Sequence, residues 1–487
     1  VIDVGSNSVR LVIFKVDGRA VTPILNEKVM AGLGRGQSES GVLNSEGRDV
    51  ALAALKRFGT LVQARGIPSV HAVATAAVRS AKDGPSFVER VGKTCGIELR
   101  VIDGQEEARL SALGVLAGAP DAFGMVGDLG GSSLELVPVG PDGVGVGETF
   151  PLGPLALAGL GPFDADTVAQ HASAALSEAG VFSRIEGKAF YAVGGAWRAM
   201  GRIDLSLRQH PIGVLHQHEM SRADAQRVIS FVRKQSVKSL EKFEEAAAKR
   251  ADVLPYAAAL LAQVMETGGF ERVVLSSYGL REGLLFDAMA PGLRAQDALL
   301  SSARAFGAPT QGMRAFGAAL NSWIDPVFDV GPHAFEPSRD KTLRAAAAAL
   351  ADFGGALHPD QRGELVFDLV LRAPLAGVTH RERAFLAAAV QHRYTKALPA
   401  AAENIVNRLL EPDQTRIAAA VGLAMRLGAD LSGRNEELMA HFTLKRQGGA
   451  LVLSAALGFG HLLTDQAVRR LEPLAEALQL KAQLRRR

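Results

Sequence analysis

The chain has 487 residues and one cysteine, Cys95. That excludes an intrachain disulfide and any cysteine-based metal cluster, and makes a reducing compartment the natural setting. Cys95 itself reads as a small buried filler. Long apolar runs are equally scarce. The longest, near Ala450 to Leu463, is broken by Ser454, Gly458, Gly460 and His461 and falls short of the ~18 uninterrupted residues that a membrane span needs. No membrane association is expected. The chain does not open on a basic segment followed by an apolar one, and it begins inside a strand without a Met; a cytoplasmic protein with a few residues before Val1 is the expectation. Charge of one sign is lacking too. The formal net charge is only +3, and basic residues are dispersed except in the tail Lys481 to Arg487, which gives no argument for nucleic-acid binding. A local basic groove for a polyanion stays compatible with that balance. A hydrophobic content of 48% supplies core for about two to four domains.

The most informative feature present is a repeat. Val1-Ile2-Asp3-Val4-Gly5-Ser6-Asn7-Ser8-Val9-Arg10-Leu11 returns about 125 residues later as Val126-Gly127-Asp128-Leu129-Gly130-Gly131-Ser132-Ser133-Leu134-Glu135-Leu136. In both copies an apolar strand runs into Asp-x-Gly and then small polar residues. A second strand follows, with apolar residues at Val9, Leu11 and Ile13 or at Leu134, Leu136 and Val139. Each copy is expected to form a tight β-hairpin. Small residues let backbone N–H groups approach an anion, hydroxyls add donors, and an Asp at the strand end can hold a cation or water against a phosphate. Two facing hairpins would make a clamp.

Four segments follow from the pattern. Residues 1–123 carry the first hairpin, a Gly-rich loop at Gly32 to Gly36, a helix from Ser45 to Ala64, a strand at Val70 to Ala74 that delivers Thr75, and a short strand Leu99 to Ile102 before a helix opened by Glu106 and Glu107. Residues 124–292 repeat the hairpin and add strands at Phe190 to Val193, before Gly194-Gly195, and at Arg272 to Leu275. Strands alternating with helices predict α/β layers. Residues 293–435 turn Ala-Leu-rich and helical, with helices expected over Leu343–Phe353, Gly363–Leu371, Arg381–Tyr394 and Asn404–Leu427. Residues 436–487 read as a small α+β module, a hairpin about Gly448-Gly449 followed by a final helix.

The duplicated hairpin resembles the phosphate loops of the acetate kinase, sugar kinase, heat-shock ATPase and actin superfamily. Ala74 to Arg79, Ile102-Asp103-Gly104-Gln105-Glu106-Glu107-Ala108-Arg109-Leu110, Asp128 to Leu136, Val193-Gly194-Gly195 and Tyr278 to Leu285 narrow the match. In that order they resemble the motifs of the exopolyphosphatase and guanosine pentaphosphate phosphohydrolase family. The resemblance implies two actin-like (ribonuclease H-like) α/β domains followed by an all-α HD-like domain and the small C-terminal module. Where that family has a third Gly and then Ser-Thr, this chain has Ser132-Ser133-Leu134, so the second loop is expected to grip phosphate differently. Metal-dependent HD phosphohydrolases need an adjacent His-Asp pair, and none of the eleven histidines is followed by Asp. His358, His380 and His392 are therefore read as capping, packing or solvated residues.

The resemblance also assigns roles. Glu107 matches the general base, with Glu106 its solvated neighbour, and Arg79 matches a cleft arginine suited to bind phosphate bidentately. Gly5, Ser6, Asn7, Ser8, Thr75, Gly130, Gly131, Ser132 and Ser133 would hold phosphoryl oxygens. Asp128 and Glu135, with Asp3 in support, would hold magnesium. Arg281 and Glu282 are read as an interdomain structural pair. The implied substrate is inorganic polyphosphate, the implied assembly a homodimer, and no nucleic acid or membrane partner is expected. Alternatives are 5′-phosphate removal from guanosine pentaphosphate, phosphate transfer to ADP, and a non-catalytic sensor of polyphosphate or of guanosine tetra- or pentaphosphate.

Overall fold

The first copy of the repeat opens a five-stranded sheet in the computed structural model, which describes residues 1–243 and 250–485. Strands β1 (Ile2–Val4), β2 (Ser8–Asp17), β3 (Ala20–Met30), β4 (Ala72–Ala74) and β5 (Arg100–Val101) lie in the order β3-β2-β1-β4-β5. Central β1 is flanked by antiparallel β2 and parallel β4, and its Ile2 and Val4 are fully buried. The parallel return to β4 runs through the Ser45–Ala64 helix. Asn44 caps that helix by accepting from the Gly47 N–H, and Ala51, Leu55 and Phe58 are buried with the sheet. The long β3 arm goes beyond the expected two-stranded hairpin. Its pairing shifts between Ile13 and Phe14, which seats Pro23 at an irregularity on an edge strand, where a missing N–H is tolerated.

The second copy builds a seven-stranded sheet from β6 (Gly124–Leu129), β7 (Leu134–Gly140), β8 (Gly143–Val144), β9 (Glu148–Phe150), β10 (Ala189–Gly194), β11 (His218–Ser221) and β12 (Arg272–Leu275). The order is β11-β12-β10-β6-β7-β8, with β9 pairing β7. Trp197, Phe190 and Phe270 lie in its largest core, and the Trp197 Nε1–H donates to the Ala257 carbonyl at 3.1 Å. Both sheets belong to one compact unit, Val1–Ala295; the other is Gln296–Arg487. In the first unit the Gly104–Gly118 and Leu280–Ala288 helices pack closely. A Cβ on Gly283 would sit 1.8 Å from the Leu110 carbonyl oxygen, so only glycine permits this crossing.

The second unit is helical up to the Glu436–Met439 helix. The stretch expected as one helix over Asn404–Leu427 is two, Ala400–Leu409 and Pro412–Ser432. Pro412 cannot continue a helix and instead starts the next one from its first turn. The helix expected over Leu343–Phe353 runs Pro337–Leu350. Strands β13 (Phe442–Gln447) and β14 (Ala450–Ala455) form the expected hairpin, but the basic tail adds β15 (Lys481–Arg485) parallel to β14. Alternation was no guide there, because β15 is an exposed edge. Cys95 is half-buried at the end of the Gly84–Cys95 helix rather than a buried filler. No helix among the described residues is long and apolar enough to cross a membrane.

Candidate active site

Both loops of the repeat close with the same bond. The Gly5 N–H donates to the Ser8 carbonyl at 3.0 Å, and the Gly130 N–H to the Ser133 carbonyl at 3.0 Å. The loops face each other: a Cβ on Gly131 would lie 3.3 Å from the Ser6 Cβ, and one on Gly34 would lie 3.4 Å from the Ser132 Oγ. The Gly-rich segment buttresses the first loop through Gly34 N–H to Ser6 carbonyl, 2.8 Å, and Gly32 N–H to Asn7 carbonyl, 3.0 Å. Ser6 and Ser133 are buried, Asn7, Ser8 and Ser132 half-buried, and Gly130 exposed. Thr75 leaves the end of β4 with its N–H on the Val4 carbonyl at 3.1 Å. It is buried at the start of the Ala76–Ser80 helix, and its hydroxyl makes no capping bond there.

Four carboxylates converge beside the loops. Asp103 caps the Gly104–Gly118 helix through the Glu106 N–H, which places Glu107 in the first turn. Glu107 is 8% exposed, and its Oε2 accepts from Arg79 Nη1 at 2.9 Å; the same nitrogen donates to the Ile102 carbonyl at 2.9 Å. One turn on, on the same helix face, Ser111 donates to Asp128 Oδ2. Asp128 and Glu135 are direct partners across β6 and β7. Asp3 accepts from Arg281 Nη1 at 3.2 Å.

Burial pushes the Glu107 carboxyl up to about 7 against the pull of Arg79, with the Asp128 and Asp3 charges adding to the rise. Burial, with Glu107 and Asp128 beside it, likewise drives Glu135 well above the carboxylate range. Asp128 is raised by burial, opposed by Ser111 and Arg198. Glu135 Oε1 is buried and has no partner among the described residues. A buried carboxylate oxygen left unpaired among acids is costly. An all-oxygen donor set of this kind fits a hard divalent cation.

Two expectations are corrected here. Glu106 is not solvated: it is half-buried and bonds Arg109 Nε at 3.1 Å, while Arg109 also reaches Asp287 at 2.9 Å. Arg281 and Glu282 do not pair with each other, because consecutive helical side chains diverge. Arg281 reaches Asp3, and Glu282 accepts from the Gly279 N–H at 3.0 Å, capping its own helix.

A group of cations beside these acids has no local signature in the sequence. Arg10 and Lys28 are cross-strand partners on β2 and β3. Arg198 donates to the Gly194 carbonyl at 3.1 Å, and a Cβ on Gly195 would lie 2.6 Å from Arg250 Nη2. Desolvation, then Arg281 and Arg10, lower Arg198 to about 10. Lys28 is lowered to about 8 by desolvation and by Arg250, Arg10, Arg198 and Arg281. Its side chain is exposed, which weakens desolvation, so the four neighbouring arginines are the firmer cause. The one trace of this group in the sequence is Arg10, which stands in the first repeat copy where Glu135 stands in the second. The turn before Arg198 depends on Gly194, at φ +107°, where a Cβ would meet the Leu129 carbonyl oxygen at 2.4 Å.

Known proteins share this fold. An exopolyphosphatase structure from Cytophaga hutchinsonii matches with a TM-score of 0.55 at 23% identity, covering 58% of this chain and 95% of that one. A Ppx/GppA family member from Aquifex aeolicus gives a TM-score of 0.52 at 24% identity over 58% and 94%. Exopolyphosphatase 1 of Mycobacterium tuberculosis is 32% identical over 139 residues. That alignment spans 28% of this chain and 40% of the relative. Residues 325–484 match the exopolyphosphatase C-terminal family. Residues 12–291, more than half of the chain, match the Ppx/GppA phosphatase family, and the chain belongs to it.

Proposed function

We propose that the protein is an exopolyphosphatase, a phosphoanhydride hydrolase that releases terminal orthophosphate from inorganic polyphosphate. The observation that carries this reading is Glu107: a buried carboxyl with a pKa of about 7, next to two facing N–H-rich loops and a surplus of arginines. With Oε2 held by Arg79, Oε1 takes the proton of a water that attacks the terminal phosphorus. The new P–O bond forms as the bridging P–O bond breaks, and the leaving phosphate chain keeps the electron pair and its negative charge. Backbone N–H groups of Gly5, Ser6, Gly130 and Gly131, with the Ser8, Thr75 and Ser133 hydroxyls and Asn7 and Ser132, hold phosphoryl oxygens. Arg10, Lys28, Arg198 and Arg250 hold the remaining chain. Asp128 and Glu135, with Asp3, are the residues that would hold magnesium, which when bound neutralises charge on the transferred phosphoryl group.

A cytoplasmic homodimer and the four-part division at 123, 292 and 435, with an HD-like helical domain lacking an HD metal pair, belong to the same proposal. Light scattering and limited proteolysis test these two parts. The match of residues 325–484 to the exopolyphosphatase C-terminal family and the name of the mycobacterial relative support polyphosphate over guanosine pentaphosphate. Phosphate release from long-chain polyphosphate and from guanosine pentaphosphate by one preparation, with and without magnesium, is the test. Faster turnover of the pentaphosphate would reassign the substrate, and full activity in chelator would remove the metal from the reading.

A further inference from the structure

A buried guanidinium in the helical unit has no hydrogen-bond partner. Arg393, in the last turn of the His380–Tyr394 helix, is 9% exposed, its Nε is fully shielded, and none of its side-chain nitrogens bonds any of the described residues. It lies instead over the Tyr394 ring, 5.0 Å from the centroid. That ring is fixed, because its hydroxyl donates to the Ala351 carbonyl at 2.8 Å and Arg362 covers it at 5.5 Å. A guanidinium carries five N–H donors, and leaving them unmet in the interior is costly. An aromatic face supplies no lone pair for them.

A second guanidinium stands beside it. The His380–Tyr394 and Pro412–Ser432 helices cross at Gly422, where a Cβ would lie 2.3 Å from the Ala389 carbonyl oxygen and 2.4 Å from the His392 Cβ. Arg426 is one turn further along that face. Its i,i+4 partner would be Asp430, but Asp430 accepts from Arg470 Nε at 2.7 Å, and Arg426 has no ion pair among the described residues. The other acid nearby, Asp352, is held by Arg434 at 3.1 Å. His392 is buried next to Arg426 with its Nδ1 unpartnered. Burial lowers the Arg393 pKa although Tyr394, Asp430 and Asp352 favour its charge, and burial, with Arg470 and Arg393, lowers that of Arg426 against the pull of Asp430. Four guanidinium groups thus share two carboxylates, and both carboxylates are bonded to the outer pair.

We propose that Arg393 and Arg426 form a site for one inorganic phosphate ion, apart from the cleft. Its oxygens meet the open N–H donors of the two planar forks, while Asp352 and Asp430 at the edges disfavour a longer polyanion. Hydrogen exchange of the full chain in chelator, with orthophosphate or with chloride at the same ionic strength, tests it, because each helix is read by itself. Amides of residues 380–394 and 412–432 should exchange more slowly in phosphate. Arg426→Gln should raise the phosphate concentration that gives half of this protection about tenfold or more. Arg393→Met should abolish the protection and, by removing an unmet buried charge, raise the melting temperature in phosphate-free buffer by roughly 2–4 °C. Should Arg393→Met fail to fold, as judged by circular dichroism, Arg426→Gln decides alone. Absence of protection by orthophosphate, full protection in Arg426→Gln, or stronger protection of the same helices by tripolyphosphate overturns the site. A lower melting temperature of folded Arg393→Met without phosphate does so too, since it would assign Arg393 to stability. None of these results bears on hydrolysis in the cleft, whose failure would show in phosphate release instead.

Discussion

The β1/β2 and β6/β7 hairpins share register, loop length and closing bond, yet differ at the residue facing the first-strand aspartate. Asp3 faces Arg10, whereas Asp128 faces Glu135. The first hairpin is thereby balanced: Asp3 has Arg281 at 3.2 Å as well as its cationic strand partner. The second carries two acids relieved only by serine hydroxyls and by charges farther off, and both rise in pKa. On the proposed reading, one duplicated backbone presents an anion-holding side and a cation-seeking side. A phosphoanhydride with a bound divalent ion needs both, and a single substitution at a strand-paired position separates them.

Glu107, which lies with the acidic hairpin, gives the largest expected effect. Glu107→Gln keeps the shape and a bond to Arg79 but removes the base, so turnover should fall roughly 10²–10⁴-fold with substrate binding retained. Glu106→Gln should do far less, since Glu106 serves Arg109. Equal losses in the two variants would contradict the assignment. The parent enzyme's rate should rise with pH through about 7 as Glu107 loses its proton, and that limb should vanish in Glu107→Gln. Next comes Glu135→Gln, which makes the second hairpin less acidic. Turnover at fixed magnesium should drop about 10–100-fold and recover in part as magnesium is raised; a magnesium titration unchanged from the parent would break the proposed division of roles.

On the basic side, Arg10→Gln and Lys28→Gln should each raise KM for long polyphosphate about tenfold with little change in kcat. Each should also lower the slope of log affinity against log salt by about one unit. The neighbouring arginines hold the Lys28 ammonium below its ordinary pKa, so affinity should decline with rising pH earlier than an unperturbed lysine would give. That decline should disappear in Lys28→Gln. A loss in kcat without a change in KM would place these cations on the acidic side of the comparison.

Much of this contrast is legible in the sequence, because the repeat fixes which residues correspond and hairpin register follows from local alternation. The two facing loops, Glu107 at the head of its helix and the Asp128–Glu135 pair all lie inside contiguous motifs. The cationic group does not. Arg10 and Lys28 share one hairpin, but Arg198, Arg250 and Arg281 come from separate segments, and only the fold gathers them. The same holds for Ser111, whose bond to Asp128 depends on how the Gly104–Gly118 helix packs against β6, and for β3 and β15, edge strands whose exposed residues blur alternation. Local chemistry reads from sequence when one element supplies it, and fails to when tertiary packing does.

The smallest effect isolates the equivalent hydroxyls of the two loops. Ser8 and Ser133 occupy the same repeat position and both offer their carbonyl to the loop glycine. Only Ser133 also lies close enough to the carboxylate of Glu135 to oppose the rise in pKa caused by burial. Removing it should push Glu135 further towards its protonated form, so that magnesium, which needs the ionised carboxylate, competes with one more proton. Ser133→Ala is therefore expected to raise the magnesium requirement a few-fold near neutral pH and to lose that deficit as pH increases. Ser8→Ala removes a phosphate donor with no carboxylate behind it, so it should weaken substrate binding slightly at every pH and leave the magnesium requirement alone. Magnesium titrations of both variants at two pH values decide the matter. Matching behaviour would mean that the hairpins still act as equivalent halves, and a pH-dependent deficit confined to Ser133→Ala would locate the division of labour at the Asp128–Glu135 pair.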